Sequence, residues 1–152
     1  MNISKQTLIF LGILFIAVFF RFYLLSSVPP SPSLDEVSIG YNAYSILQTG
    51  KDEYGYQFPI LLRAYDDWRP ALYVYFVIPF IKLFGVTSLA VRLPSVLLSL
   101  ITVIATYFFI IELFSHQKYK KLLATLSMFL IAISPWHVYI SRLGQEVNGG
   151  VT

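Results

Sequence analysis

The chain alternates between long apolar runs and short polar segments, with one much longer polar stretch near its beginning. An apolar run of about twenty residues is long enough, at ~1.5 Å per residue, to cross a ~30 Å hydrocarbon layer as a helix. The pattern therefore predicts an all-α, polytopic transmembrane bundle of about four spans. The predicted spans cover residues 7–28, 71–91, 93–114 and 122–141.

The first apolar run carries a single charge, Arg21, close to its far end. A long basic side chain in that position is expected to snorkel to the membrane interface. A cleaved signal peptide is the competing interpretation, with Lys5 as its basic start. The run is long and Arg21-Phe22-Tyr23 is a poor approach to a small-residue cleavage site, so an uncleaved anchor is favoured.

The second apolar run contains Pro79 and Lys82 and is followed by Gly85, so it is expected to kink or to end near Phe84. If it crosses the membrane, the basic connector 116–121 falls outside, against the positive-inside tendency. If it is instead a re-entrant or interfacial element, the connector falls inside. Both arrangements remain open from the sequence.

The polar stretch between the first two runs, residues 26–70, is predicted to be a long external loop. It holds six of the eight acidic residues, as the pairs Asp35-Glu36, Asp52-Glu53 and Asp66-Asp67. A proline-rich exit precedes Ser33, which forms a capping-box pattern with Glu36. Apolar residues then recur at helical spacing as far as Gly50, so residues 34–48 are predicted to form an amphipathic helix on the membrane surface.

The charged residues of this loop each have a structural and a functional interpretation. Carboxylates at a helix N-terminus are favoured by capping alone, but Asp35 and Glu36 could also serve as a general base or a metal ligand. Asp52-Glu53 is expected to be a turn. Arg69, before Pro70 at the start of the next span, is either an interfacial anchor or a clamp for a phosphate group.

Composition agrees with a membrane protein and excludes several other classes. Hydrophobic residues make up 57% of the chain and charged residues 12%, about half the charged share of a soluble domain. The net charge of +3 is better explained by membrane anchors than by nucleic-acid binding. There is no cysteine for disulfides or thiol chemistry, and no Gly-rich phosphate loop.

Several short motifs, in their order along the chain, resemble the bacterial membrane glycosyltransferases of the ArnT and protein-mannosyltransferase type. The resemblance extends over essentially the whole chain. The motifs are Leu34-Asp35-Glu36 to Tyr44, Asp52-Glu53-Tyr54-Gly55, Arg69-Pro70-Ala71-Leu72-Tyr73, Leu83-Phe84-Gly85, Val91-Arg92-Leu93-Pro94, Ser134-Pro135-Trp136-His137, Ser141-Arg142 and Glu146-Val147-Asn148.

The resemblance implies a GT-C fold and transfer of a sugar from a polyprenyl-phosphate carrier, undecaprenyl or dolichyl, to a hydroxyl acceptor. It implies that Asp35 and Glu36 are catalytic and that Arg69 and Tyr41 bind substrate. No cofactor is certain, and a divalent metal ion stays an open alternative. The expected partners are the sugar donor, a lipid or protein/glycan acceptor, and membrane lipids. Residues 26–70 are expected on the non-cytoplasmic face of the plasma membrane.

Other residues and functions remain open at this stage. Arg92 is expected to be a cytoplasmic-side anchor, and His137 a buried packing residue. By strict alternation of spans, His137 and Glu146 fall on the inner side, away from catalysis. A transporter or flippase, or a non-catalytic membrane fragment, are the alternative functions. Residues 1–152 are expected to be the N-terminal part of one GT-C transmembrane domain within a longer protein.

Overall fold

The computed structural model describes residues 4–64 and 67–145. Those residues form six helices and one two-stranded antiparallel hairpin. In chain order the elements are α1 (Lys5–Phe22), α2 (Leu34–Thr49), β1 (Leu61–Ala64), β2 (Asp67–Pro70), α3 (Leu72–Phe84), α4 (Ser88–Leu113), α5 (Lys120–Ile133) and α6 (Pro135–Ser141).

The predicted loop helix is present as α2, with the ends that the sequence signals indicate. The Ser33 side chain accepts the Glu36 N–H while the Glu36 carboxylate accepts the Ser33 N–H, which completes the capping box. Gly50 ends the helix in the left-handed region, at φ 71°, and donates its N–H to the Ile46 carbonyl. The cap thus fixes the N-terminus of α2 and the direction of the residues that follow.

The described residues are mostly helical, as predicted, but the hairpin was not predicted, and it corrects the role of Pro70. Pro70 ends β2, paired with Leu61, instead of opening the next helix, which begins at Leu72. In β1 the side chains alternate, with Leu62 buried and Leu61 exposed. Four residues are too few for this alternation to be distinguished from an irregular loop by sequence.

The boundaries of the second and third predicted spans also need correction. Helix α3 has thirteen residues, ~20 Å of rise, and ends at Phe84 as the Gly85 signal suggests. Thr87 caps α4, which therefore begins at Ser88 rather than Leu93. By length and composition α1 and α4 can cross a membrane, and α5 with α6 forms a third candidate bent by 58°. A crossing by α3, and hence four spans, is not confirmed.

Helices α1, α4 and α5 pack around an apolar core. Helix α4 runs antiparallel to α1 and α5. Near one end, Gln6 of α1 hydrogen-bonds Tyr107 of α4. Near the other end, Arg21 of α1 reaches both Ser99 of α4 and Ala132 of α5. The basic connector therefore lies at the same end of the bundle as Lys5, and loop 26–70 lies at the opposite end. The core residues are Ile13, Ala17, Val103, Met128 and Ala132.

Arg21 is fully buried, so the expectation that it snorkels to the interface is wrong. Its guanidinium donates to the carbonyls of Ala17, Ile131 and Ala132, to the Ser99 hydroxyl and to His137 Nδ1. Pro135 lacks the N–H that the Ile131 carbonyl would accept in a continuous helix. Arg21 thus supplies donors to carbonyls exposed by the break between α5 and α6.

Candidate active site

Asp35 and Arg69, which are 34 residues apart in sequence, meet in an ion pair at the loop end of the bundle. Arg69 Nη1 lies 2.6 Å from Asp35 Oδ1, and the side chains are 20% and 34% exposed, respectively. Gln145 Nε2 donates to the other Asp35 oxygen at 3.2 Å. The pair therefore combines a carboxylate and a guanidinium at a place that solvent and substrate can reach.

Local structure explains why Asp35 is left accessible beside a buried neighbour. Asp35 follows the cap in the first turn of α2, where the macrodipole favours negative charge. Glu36 takes part in the capping box, and its side chain turns into the bundle because consecutive helical residues point about 100° apart. Arg69 reaches Asp35 from β2, whose position is fixed by pairing with β1.

Glu36 forms a buried ion pair with Arg92, and the two side chains are 2% and 0% exposed. Both oxygens of the Glu36 carboxylate accept hydrogen bonds. Arg92 Nε and Nη2 lie 2.7 and 3.2 Å from the two carboxylate oxygens. The N–H groups of Ser33 and Gly144 donate to the same carboxylate. Burial raises the pKa of Glu36, but these hydrogen bonds and the charge of Arg92 outweigh it and hold the pKa below its ordinary value.

Arg92 is therefore not an anchor at the far end of the bundle, and that expectation is wrong. Besides Glu36 it donates to the carbonyls of Leu25, Pro29 and Ser31, all in the chain that leaves α1. Each of these residues is at least 60 positions away in sequence. The guanidinium ties the start of α4 to the loop that carries the candidate site.

The segment after α6 also lies at this end, which corrects the placement that strict span alternation predicts. Gly144 and Gln145 contact Glu36 and Asp35, and Arg142 donates to the Phe20 and Val28 carbonyls. A Cβ on Gly144 would lie 2.6 Å from the Val91 side chain and 2.9 Å from its carbonyl oxygen, so only glycine fits. The alternation that places this segment at the other end counts α3 as a crossing, which is not confirmed.

Tyr41 and His137 lie outside the contact between Asp35 and Arg69. Tyr41 of α2 is 55% exposed. It lines a groove of about 260 Å³ between α2 and the α3–α4 junction, and it also lines a second concavity between α2 and the turn that contains Glu53 and Tyr54. His137 is half-buried and hydrogen-bonded to Arg21, in accord with a packing role. Asp66 and Glu146 lie outside the described residues.

The described residues do not form a metal site by themselves. Among residues 4–64 and 67–145 no three His, Asp or Glu side chains are grouped to hold an ion. The carboxylate oxygens of Asp35 and Glu36 instead face arginine and amide donors.

Sequence reasoning identified Asp35, Glu36 and Arg69 but missed Arg92, Gly144 and Gln145 as parts of one cluster. Only the thirteen-residue length of α3 could have indicated them, because a helix that does not cross brings all three to the loop end.

Comparison with known proteins adds one family match. A family model described as dolichyl-phosphate-mannose-protein mannosyltransferase matches residues 68–149, more than half of the chain. Arg69, Arg92 and Gln145 lie inside the matched range, whereas Asp35 and Glu36 precede it. No curated protein and no solved structure matches the chain.

Proposed function

Because the chain belongs to the dolichyl-phosphate-mannose-protein mannosyltransferase family, we propose that it moves a sugar from a polyprenyl-phosphate carrier to a hydroxyl acceptor. The family and the apolar helices make it an integral membrane protein of glycosyltransferase type. The identity of the donor, the class of acceptor and the residues of the site are the proposed parts.

The observation that most supports this proposal is the contact between Asp35 and Arg69. Sugar transfer from a phosphate carrier needs a group that takes a proton and a cation that receives negative charge. A partly exposed carboxylate and guanidinium, 2.6 Å apart, provide both at one place. Guanidinium also suits phosphate because it can donate two parallel hydrogen bonds.

We assign the two residues opposite tasks in the reaction. The acceptor oxygen attacks the anomeric carbon and gives its proton to the Asp35 carboxylate. The bond between that carbon and the phosphate oxygen breaks, and the polyprenyl phosphate leaves with the electron pair. Arg69 stabilises the developing phosphate charge. In the resting protein the two groups pair with each other, so arrival of the carrier phosphate exchanges partners and frees Asp35 for the acceptor.

We propose that Glu36 supports this site from behind rather than touching the substrate. Its carboxylate is 2% exposed and receives hydrogen bonds from Arg92, Ser33 and Gly144. A carboxylate so engaged has little capacity to accept a substrate proton. It positions Asp35 by joining the start of α2, the start of α4 and the segment after α6.

We further propose that the site lies on the non-cytoplasmic face of the plasma membrane, with residues 1–152 forming part of one GT-C transmembrane domain. The connector 116–121 contains three lysines and lies at the same end as Lys5, opposite the site. Short lysine-rich connectors next to spans favour the cytoplasmic side. This orientation supports an external loop 26–70.

The test is transfer of radiolabelled mannose from undecaprenyl-phosphate mannose into acceptors of membrane vesicles that contain the protein. Asp35→Asn keeps the shape and the contact with Gln145 but removes the base. We expect transfer to fall by about 10²- to 10⁴-fold. Glu112→Gln is the matched control, because Glu112 is exposed at the opposite end of the bundle. Transfer by Asp35→Asn at the rate of the control would contradict the proposal.

A further inference from the structure

A small concavity opens between α2 and the turn that follows it. Its volume is about 190 Å³. Helix α2 contributes Val37, Ser38 and Tyr41 to its lining, and the turn contributes Glu53 and Tyr54. The roles assigned to Asp35 and Arg69 do not use Ser38, Glu53 or Tyr54.

The turn is held rigidly against α2 by paired hydrogen bonds. Asn42, which is 1% exposed, donates from Nδ2 to Glu53 Oε1 and accepts the Glu53 N–H through Oδ1. Asp52 Oδ1 accepts the N–H groups of Tyr54 and Tyr56. These contacts preserve the positions of Glu53 and Tyr54 without occupying the whole Glu53 carboxylate.

The aromatic walls are similarly placed. The Arg63 guanidinium from β1 lies over the Tyr54 ring, 5.4 Å from its centroid, and so restrains that ring. Tyr41 and Tyr54 remain 55% and 48% exposed, so both rings are accessible to a ligand. Two accessible rings, a carboxylate and a hydroxyl in one lining make a pocket with apolar walls and a few polar groups.

We propose that this pocket, defined by Ser38, Tyr41, Glu53 and Tyr54, binds the ring of a sugar. The tyrosine rings suit the C–H faces of a pyranose, and the Glu53 carboxylate and Ser38 hydroxyl suit its hydroxyl groups. A charged carboxylate at the wall disfavours a hydrocarbon chain as the occupant.

The pocket begins about one helical turn from the proposed base. Ser38 is three residues after Asp35 on α2, so the two side chains are neighbours about 5–6 Å apart at Cβ. A sugar ring held against Ser38 would therefore lie one helical turn from Asp35. This inference rests on the proposed transfer reaction and adds which residues hold the sugar, whether it comes from donor or acceptor.

The experiment compares Tyr54→Ala and Glu53→Gln with the matched control Tyr56→Ala, which changes an exposed tyrosine of the same turn that does not line the pocket. Glu53→Gln keeps an oxygen for Asn42, so the turn should stay in place.

Two reactions are followed in vesicles: mannose transfer, and slow hydrolysis of undecaprenyl-phosphate mannose without acceptor. Each pocket variant is expected to weaken sugar binding by about threefold to tenfold, and Tyr54→Phe should restore it.

The two reactions distinguish the source of the sugar. A raised KM for the donor in hydrolysis identifies the donor sugar as the occupant. Unchanged hydrolysis with a lowered kcat/KM for transfer identifies the acceptor sugar. Wild-type values in both reactions for both variants would overturn the pocket assignment while leaving the transfer function intact.

A binding measurement separates failure of the pocket from failure of the function. Ligand-observed NMR of methyl α-mannoside with protein in nanodiscs requires no catalysis. A signal that weakens in Tyr54→Ala but not in Tyr56→Ala supports the pocket even if no transfer is found. A signal that is absent, or equal in both variants, overturns it.

Discussion

Two adjacent carboxylates at the start of α2 have opposite environments. Asp35 is 34% exposed, and its partner Arg69 is also partly exposed to solvent. Glu36 is 2% exposed, and its carboxylate accepts hydrogen bonds from Arg92 and from two backbone N–H groups. The ~100° step between helical neighbours sends one to the surface and the other to the interior. The exposed residue is suited to reaction and the buried one to holding the site together.

The buried pair leads to a prediction about acid stability. Because the pKa of folded Glu36 is held below the ordinary 4.5, its contribution to stability is complete above about pH 4.5. That contribution is lost as pH falls through the lower pKa of the folded state. We expect Glu36→Gln to lower stability at neutral pH by roughly 3 kcal/mol, because it leaves Arg92 buried without its counter-charge.

Thermal unfolding in detergent, followed between pH 7 and about pH 3, measures this effect. The wild-type melting temperature should fall more steeply on acidification than that of Glu36→Gln. Glu112→Gln serves as the control, since it removes an exposed carboxylate. Parallel acid profiles for wild type and Glu36→Gln would show that the pair does not stabilise the fold.

At the scale of the elements, the break between α5 and α6 directs the chain back to the site. The two helices meet at 58°, and the segment after α6 brings Gly144 and Gln145 to Glu36 and Asp35. Arg21 of α1 makes three hydrogen bonds at the break, to the Ile131 and Ala132 carbonyls of α5 and to His137 of α6. A residue inside one helix thus contacts both sides of the break between two others.

Removal of this guanidinium should loosen the bend. In Arg21→Met the carbonyls of Ile131 and Ala132 lose their donor, so we expect a broader range of α5–α6 angles. Spin labels on Ile101→Cys and Trp136→Cys, both exposed, report the distance between α4 and α6. The matched control is Lys82→Met, which removes an exposed basic residue at the end of α3. Identical distance distributions for wild type and Arg21→Met would exclude this role.

Sequence patterns predicted the elements whose signals are local. The Ser33–Glu36 box and Gly50 gave both ends of α2, because capping involves residues three or four apart. The hairpin was missed because its strands have only four residues each. The burial of Arg21 and Arg92 was missed because most of their partners lie far away in sequence, and a lone arginine in an apolar run looks like an anchor.

At the scale of the whole molecule, one correction brings the candidate site together. If α1, α4 and the bent pair α5–α6 cross the membrane while α3 does not, then loop 26–70 and the segment after α6 share one face. The lysine-rich connector 116–121 then lies on the other face with Lys5, as the positive-inside tendency favours. The four-span count would have separated Gln145 from Asp35, which the structure finds in contact.

Single-cysteine labelling tests this arrangement most directly, since the chain contains no cysteine of its own. Ser26→Cys, Val86→Cys and Gln117→Cys place an exposed thiol in the loop, at the α3–α4 junction and in the connector. With a membrane-impermeant maleimide, we predict labelling at Ser26→Cys and Val86→Cys in intact cells, and at Gln117→Cys only after permeabilisation. Labelling of Val86→Cys from the side opposite to Ser26→Cys would show that α3 crosses the membrane, and would contradict a single site on one face.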